Sequence, residues 1–445
     1  ANGQAGRENA QKNGGGGAGG SVWISTDTLS GSGMVQVDGG APGSNTDRPG
    51  GAGAGGRVAI EARTSTFDPD HVTAYPGTPH SARQAAAGTV WLDIGNAPTL
   101  LVIDDDDRSA GLDDLALGAT ASGTATVVGD LTVRGTARLV LVTPLEAGIV
   151  RLEDEAVMTH LQTTNDFEAG LTLTADRLEI DVGAAIDVTG RGYYGDCSPG
   201  NSSCGGGART LGNVQAGGAR PLSGGSHGGL GAGPSPNATY GDPFAPVTLG
   251  AGGSYGAGAG EPGGDGGGRA RIVVDALVAD GAIRANGGDA LATAQRNGGG
   301  GAGGSLYITT GTLSGAGLIT ADGGAPPSGA PGSKGANGGG GRIALEYTSS
   351  TFDPLRVRAW PGADPDGPKA AAGTVFFEGG GERQLVIDDG GLGGGDGRAL
   401  GFDPLDTVLD LDADLLLRGI ARLALARPLV VRDLVLEGGA VLTHL

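Results

Sequence analysis

Asp104-Asp-Asp-Asp107 is the densest run of carboxylates in the chain, with Asp113 and Asp114 close behind; 284 residues further on stand Asp388 and Asp389, followed by Asp396. Oxygen donors at this density suit a hard cation, so Asp104, Asp105, Asp106, Asp107, Asp388 and Asp389 are candidate ligands for a structural calcium ion; a solvated acidic turn is the other reading. The tandem Gly-Gly-x-Gly-x-Asp array of calcium-dependent β-rolls is not present, and no other cofactor is expected. Paired carboxylates also hydrolyse glycosidic bonds. That chemistry needs a groove with sugar-stacking aromatics, and aromatic residues are only 4% of the chain. Half of the acidic run is replaced by Gly390-Gly391 at its second occurrence. No catalytic residue is therefore assigned and no enzyme is expected; a polysaccharide-active enzyme ranks third among the functional readings.

Acid–base chemistry would look first to histidine. The chain has five, His71, His80, His160, His227 and His444, and only His160 and His444 correspond at the 284-residue spacing, inside Thr-His-Leu. The acids near the first, Asp154 and Glu155, become Gly438 and Gly439 near the second, so both histidines read as strand-end residues. Cys197 and Cys204 share one Gly-rich stretch with no histidine or second cysteine pair beside them. Zinc is disfavoured; reduced thiols or, in an exported chain, a local disulfide are the readings. Asn201-Ser-Ser203 and Asn237-Ala-Thr239 match the N-glycosylation pattern. The glycine runs lack a following Gly-Lys-Ser/Thr and are not phosphate loops.

Charge narrows the partners. Acidic residues number 49 against 29 basic, a formal charge of −20, and lysine occurs only at 12, 334 and 369. Such a chain repels phosphate backbones, which excludes nucleic acid. No apolar run of about 18 residues is present, so no membrane-spanning segment is expected. Neither an initiator Met nor a signal peptide is found, and any export signal is expected outside these residues.

What positions these groups is a long internal duplication. Asn13-Gly-Gly-Gly-Gly-Ala-Gly-Gly-Ser21 returns as Asn297–Ser305, Gly39–Pro42 as Gly323–Pro326 and Thr159–Leu161 as Thr443–Leu445, all 284 residues apart; Thr66-Phe-Asp-Pro69 returns as Thr351–Pro354 at 285. Residues 1–161 therefore form a β-rich block, 162–284 the remainder of a repeat unit with a Gly-rich, Cys-containing loop at 195–268, and 285–445 a second copy of the first block. Trp23/Tyr307, Phe67/Phe352, Tyr75/Trp360 and Trp91/Phe376 keep bulk while changing identity, which marks core positions.

Smaller phrases of strand, bend, strand recur at Ser21–Asp38, Asp130–Val142, Leu171–Thr189 and Arg271–Arg284. No amphipathic helix is found. Short strands with Gly or Asp bends predict an all-β chain, as a parallel β-solenoid whose coils stack; repeats of an antiparallel β-sandwich are the alternative. Gly and Pro make up 94 and 23 of 445 residues. For 195–268, and for Gly14–Gly17 and Gly338–Gly341, two readings stand open: flexible loops, or extended polyglycine-II-like segments packed closely and exchanging backbone hydrogen bonds.

The phrases Gly14–Asp38 with the following Gly-Gly, Gly55-Gly-Arg-Val-Ala-Ile60, Ile186-Asp-Val-Thr-Gly-Arg-Gly-Tyr193 and Arg209–Asn213 resemble segments of giant glycine-rich surface and matrix proteins of gliding or multicellular bacteria. These are similar in logic to filamentous-haemagglutinin-like solenoid adhesins. The resemblance implies a secreted or cell-surface bacterial protein. The functional expectation is a structural component of an extracellular fibre or surface matrix, self-associating and in contact with matrix polysaccharide. An adhesin displaying 195–268 to a ligand is the alternative.

Overall fold

The computed structural model describes residues 1–7, 14–43, 50–79, 84–108, 115–117, 123–201, 204–256, 262–291, 297–327, 335–364, 368–393, 397–398 and 408–444. Secondary structure among them is β, apart from two three-residue 3-10 turns, Pro69–His71 and Pro354–Arg356. Fourteen strands lie in chain order in one mostly parallel sheet, from Ser21–Leu29 to Leu434–Leu436, with Ala125–Thr126 pairing off this path. Seven short strands, from Leu115–Leu117 to Val357–Arg358, form a second sheet in chain order. Neither sheet closes or curls on itself.

Pairing is parallel throughout the described ladders except at two hairpins, Thr89–Ile94 with Leu100–Asp104 and Thr374–Gly379 with Glu382–Asp388. The antiparallel sandwich is thereby overturned. The strand–bend–strand phrases are not hairpins: in the last three the first strand joins the long sheet and the second the short one, as for Leu171–Ile180 and Ala185–Asp187, or Arg269–Ala279 and Ala282–Arg284, while in Ser21–Asp38 the second strand, Val35–Gln36, pairs with Val72–Thr73 in a separate two-stranded sheet. Alternation drives this. In Arg269–Ala279, residues Ala270, Ile272 and Val274 are buried while their neighbours are not, the two-residue period of a strand with one covered face.

The chain divides into two compact units. The first comprises Ala1–Thr159, Thr174–Ile186 and Val274–Ala282; the second comprises His160–Leu173, Asp187–Val273 and Ile283–Leu445. In the first, Val58 and Ile60 lie in register with Val90 and Leu92, and these pack with Val37, Phe67 and Val72. In the second, Leu385 and Ile387 lie in register with Leu415 and Leu417 and pack with Phe376 and Leu423. Each such side chain contributes about 1.5–3 kcal/mol by leaving water.

The duplication is also visible element by element. Strands Ser21–Leu29, Arg57–Ser65, Asp130–Arg134, Arg138–Leu141 and Val157–His160 return as Ser305–Ser314, Arg342–Ser350, Asp414–Arg418, Arg422–Leu425 and Val441–His444. The shared Thr-Phe-Asp-Pro phrase is a 3-10 cap. Asp68 and Asp353 each accept a bond from the backbone N–H two residues on, at 3.0 and 2.9 Å, and Pro takes the first helical position. Of the paired aromatics, Phe67, Phe352 and Phe376 are buried, but Trp23 is 75% exposed. Strand alternation puts Trp23 on the face opposite to its neighbours Val22 and Ile24, so bulk alone misplaced it.

Candidate functional site

The acidic runs are built into strand ends. Asp104 accepts from the Nε of Arg134 at 2.6 Å and from the N–H of Asp106 at 2.9 Å. Asp388 repeats this with the Nε of Arg418 at 3.0 Å and the N–H of Gly390 at 2.9 Å. Asp105 and Asp389 are fully buried. The Oδ1 of Asp105 takes the N–H of Thr136 at 2.8 Å, and that of Asp389 takes the N–H of Ile420 at 2.9 Å. Asp106 and Asp107 have φ of 52° and 57°, and Gly390 and Gly391 at the same places have 59° and 75°. Asp and Gly both tolerate this left-handed region, which is why they exchange between copies.

Each acidic run is thus engaged by an arginine and by backbone N–H groups of its own copy. Among the described residues, the group of three His, Cys, Asp or Glu side chains with ligand atoms within 4.8 Å of one another is Asp196, Cys197 and Cys204; Asp113, Asp114 and Asp396 lie outside the described residues. Cys197 and Cys204 are joined in a disulfide with Cα atoms 4.4 Å apart. Asp196 is buried beside it and accepts from the N–H groups of Gly205 and Gly207 at 2.9 and 3.0 Å. Asn237 is 2% exposed and accepts from Ser226 N–H at 2.8 Å, which closes it to glycosylation. Asn201 donates to Gly195 O at 2.9 Å; Ser202, Ser203 and His80 are outside the described residues.

A cleft of about 350 Å³ in the second unit is lined by Leu313, Tyr347, Phe352, Phe377, Gly379 and Glu382, among others. Glu382 is its single acid; glycoside hydrolysis uses two.

The arrangement that stands out is made of backbone. In residues 299–304 donors are used in steps of three. Gly299 and Ala302 donate to Ser254 O and Ala251 O, both at 2.8 Å; Gly300 and Gly303 donate to Ala336 O and Gly339 O, both at 3.0 Å; Gly301 and Gly304 donate to Gly288 O and Ala285 O at 3.0 and 2.7 Å. Three faces of one extended segment thus reach three neighbouring segments. Gly264 and Gly267 donate back to Gly299 O and Ala302 O at 2.9 and 2.8 Å. A three-residue turn without internal bonds is the polyproline-II period. A Cβ on Gly301 would fall onto the Asp265 carbonyl, and one on Gly303 onto that of Ala321, so only glycine permits this spacing.

A buried polar network pins the bundle. Nδ1 of His227 donates to Gly303 O at 2.9 Å, and Nε2 accepts from Thr248 Oγ1 at 2.8 Å. Tyr240, whose ring centroid lies 4.9 Å from that of His227, donates its hydroxyl to Leu249 O at 2.7 Å. Arg342 is fully buried and its Nε donates to Tyr240 O at 2.9 Å. Burial pushes the His227 imidazole down to about 3 and Arg342 down to about 10. His160 is likewise buried and pushed down to about 4; its Nδ1 donates to Leu161 O at 2.6 Å. Asp265 is pushed up to about 6 by burial, against bonds from Ser198 and Gly195 N–H. His227 was overlooked in the sequence because it has no counterpart in the duplication. The one signal was its place in a glycine stretch, Gly224–Gly229.

Comparison of the chain with protein-family models, with curated proteins and with solved structures finds no match.

Proposed function

We propose that this chain is a structural element of an extracellular fibre or surface matrix, in which coils stack as a parallel β-solenoid and glycine segments pack beside them. The observation that carries this reading is the three-way backbone bonding of residues 299–304. Bonds of this kind distribute load over many peptide groups and require no side-chain chemistry. Chain-order parallel strands fit coils laid one upon the next. The Cys197–Cys204 disulfide suits an oxidising, extracytoplasmic setting, and the charge of −20 keeps a repetitive rod soluble. An adhesin would present 195–268 as a free loop, whereas Gly225, Ala251, Ser254 and Gly264 give their backbone to the bundle; the mechanical reading is therefore preferred.

Electron micrographs of the native material test it. Ordered filaments with a regular axial repeat are expected. Dispersed particles without periodic order, or polysaccharide cleavage abolished by substituting one carboxylate, would overturn it.

A further inference from the structure

We infer that the cleft lined by Tyr347, Phe352, Phe377 and Glu382 is a binding site for a neutral hexose unit of a polysaccharide, held without cleavage. Its volume of about 350 Å³ falls within the range of small-ligand sites, about 300–1,000 Å³. Comparison of the two copies shows what is special here. Leu313, Ser350, Phe352 and Pro354 stand where the first copy has Leu29, Ser65, Phe67 and Pro69, so the frame is kept. Three other lining positions differ together: Ala62, Leu92 and Ile94 of the first copy are Tyr347, Phe377 and Gly379 in the second. The first and last of these face each other across a parallel strand pair in both copies, Ala62 with Ile94 and Tyr347 with Gly379. Glu382 has no equivalent, since no acid stands between Ile94 and Leu100.

The exchange moves bulk and adds polarity. A Cβ on Gly379 would fall onto the Tyr347 ring, so glycine lets that ring lie along the hairpin backbone. The cleft thereby holds three aromatic rings where the first copy has only Phe67. Tyr307, Trp360 and Phe376 elsewhere in this unit already carry an arginine, at 3.7, 4.3 and 5.6 Å from the ring centroid; the three cleft rings carry none among the described residues. Bonding capacity is also left over. Arg383, next to Glu382, pairs with Glu378 at 3.3 Å and Asp412 at 2.6 Å, and Glu382 has no ion-pair partner among the described residues. Burial, and then the Glu382 carboxylate, raise the Tyr347 phenol above its ordinary range, so its hydroxyl stays a donor. Ser350 Oγ accepts from Phe352 N–H at 3.1 Å, which leaves its own proton to give. Aromatic faces beside donors and one acceptor suit a pyranose, whose C–H face stacks on a ring while its hydroxyls bond at the edge. Glu382 and the charge of −20 repel uronates and sulfated sugars, which selects a neutral one. One acid alone does not hydrolyse it.

The inference deepens the fibre reading and rests on it for its purpose, because such a site would fasten a fibre to the glycan around it. Isothermal titration of the full chain with maltohexaose, cellohexaose, mannohexaose and chitohexaose should detect binding of at least one. Tyr347→Ala, which restores the first copy's residue, should weaken that binding about tenfold or more, and Glu382→Gln about threefold. Should Tyr347→Ala lower the melting temperature, Tyr347→Phe, which removes only the hydroxyl, should still weaken binding about threefold. No binding of any of the four sugars overturns the inference, as does unchanged affinity in both Tyr347→Phe and Glu382→Gln. Oligogalacturonate or tetramethylammonium binding as tightly as the best of the four also overturns it, because the cleft would then select charge. Sugar binding without filaments in the micrographs would sink the fibre reading alone, and filaments without sugar binding would sink this inference alone.

Discussion

Arg57 and Arg342 open the same strand of the duplication, 285 residues apart, in opposite surroundings. Arg57 is exposed; Arg342 is fully buried under Tyr240 and Thr374. The glycine segments beside them diverge in the same way. Gly17 and Gly301 make the equivalent bond, to Gln4 O at 2.8 Å and to Gly288 O at 3.0 Å, yet residues 14–20 are exposed or half-buried and 298–304 are buried. What differs is residues 222–254, which supply Ser254, Ala251, Gly225 and His227 to the second copy's bundle. The strands are duplicated, whereas the environment is local to each copy. A glycine motif can thus lie at the surface or in the core while keeping two of its three bonding faces: Gly16, Gly17, Gly19 and Gly20 donate as Gly300, Gly301, Gly303 and Gly304 do, and the bonds from Gly299 and Ala302 are added in the second copy.

Substitution at matched positions breaks this contrast most sharply. Gly301→Ala, whose methyl meets the Asp265 carbonyl, should cost about 3 kcal/mol or more, whereas Gly17→Ala, whose methyl would lie 3.2 Å from Gln4 N, should cost at most about 1 kcal/mol. Urea titrations of the two variants decide it, and equal losses would show that enclosure is irrelevant. His227→Phe comes next: it leaves Gly303 O and the Thr248 hydroxyl without their imidazole partner, for an expected loss of about 2–4 kcal/mol.

The same residue governs acid response. His160 and His227 take up protons in the unfolded chain from about pH 6.5 downward, but in the folded chain only near 4 and 3. Stability should therefore fall as pH drops through that window, by about 1.4 kcal/mol per unit for each histidine. Asp265, pushed up to about 6, runs the other way: the folded chain holds its proton between the ordinary carboxylate range and 6, which offsets one histidine. The net acid loss above pH 4 should be roughly halved or removed in His227→Phe, as read from melting temperatures between pH 7 and 4.

A smaller effect sharpens the comparison at the acidic corner. Thr136 donates its hydroxyl to Asp105 Oδ2 at 2.6 Å; its counterpart is Ile420, and Asp389 Oδ2 is buried without a hydrogen-bond partner among the described residues. Ile420 is 42% exposed, so Ile420→Thr removes little burial and should stabilise by about 1 kcal/mol, while Thr136→Ile should destabilise by about 1–3 kcal/mol. Smallest of all, excess EDTA should leave the melting temperature unchanged, since the oxygens of Asp104 and Asp388 face Arg134 and Arg418.

Much of the fold was legible because strands announce themselves by alternation and because two diverged copies expose their shared core. Phe67/Phe352 is a case in point. The acidic run admits two readings in the sequence for a specific reason: composition does not reveal φ, and Asp106 and Asp107 serve a left-handed bend. Their exchange for Gly390 and Gly391 was the readable clue. The pairing of His227 with Gly303 lies 76 residues apart and has no echo in the duplication, so no periodicity could signal it. For the glycine stretches, sequence left loop and bundle equally open, because a residue without a side chain leaves no pattern of polarity to read.

The three-residue step of the bundle also imposes a grammar on change. Losing or gaining one residue within such a segment would rotate every later donor toward the wrong neighbour, as a frameshift garbles codons. The two copies obey this: residues 14–20 match 298–304 and 50–56 match 335–341 without a gap, and the single extra residue falls between Pro326 and Arg342, ahead of the second segment. Length can drift in the connectors, while the glycine segments themselves can grow or shrink only in triplets.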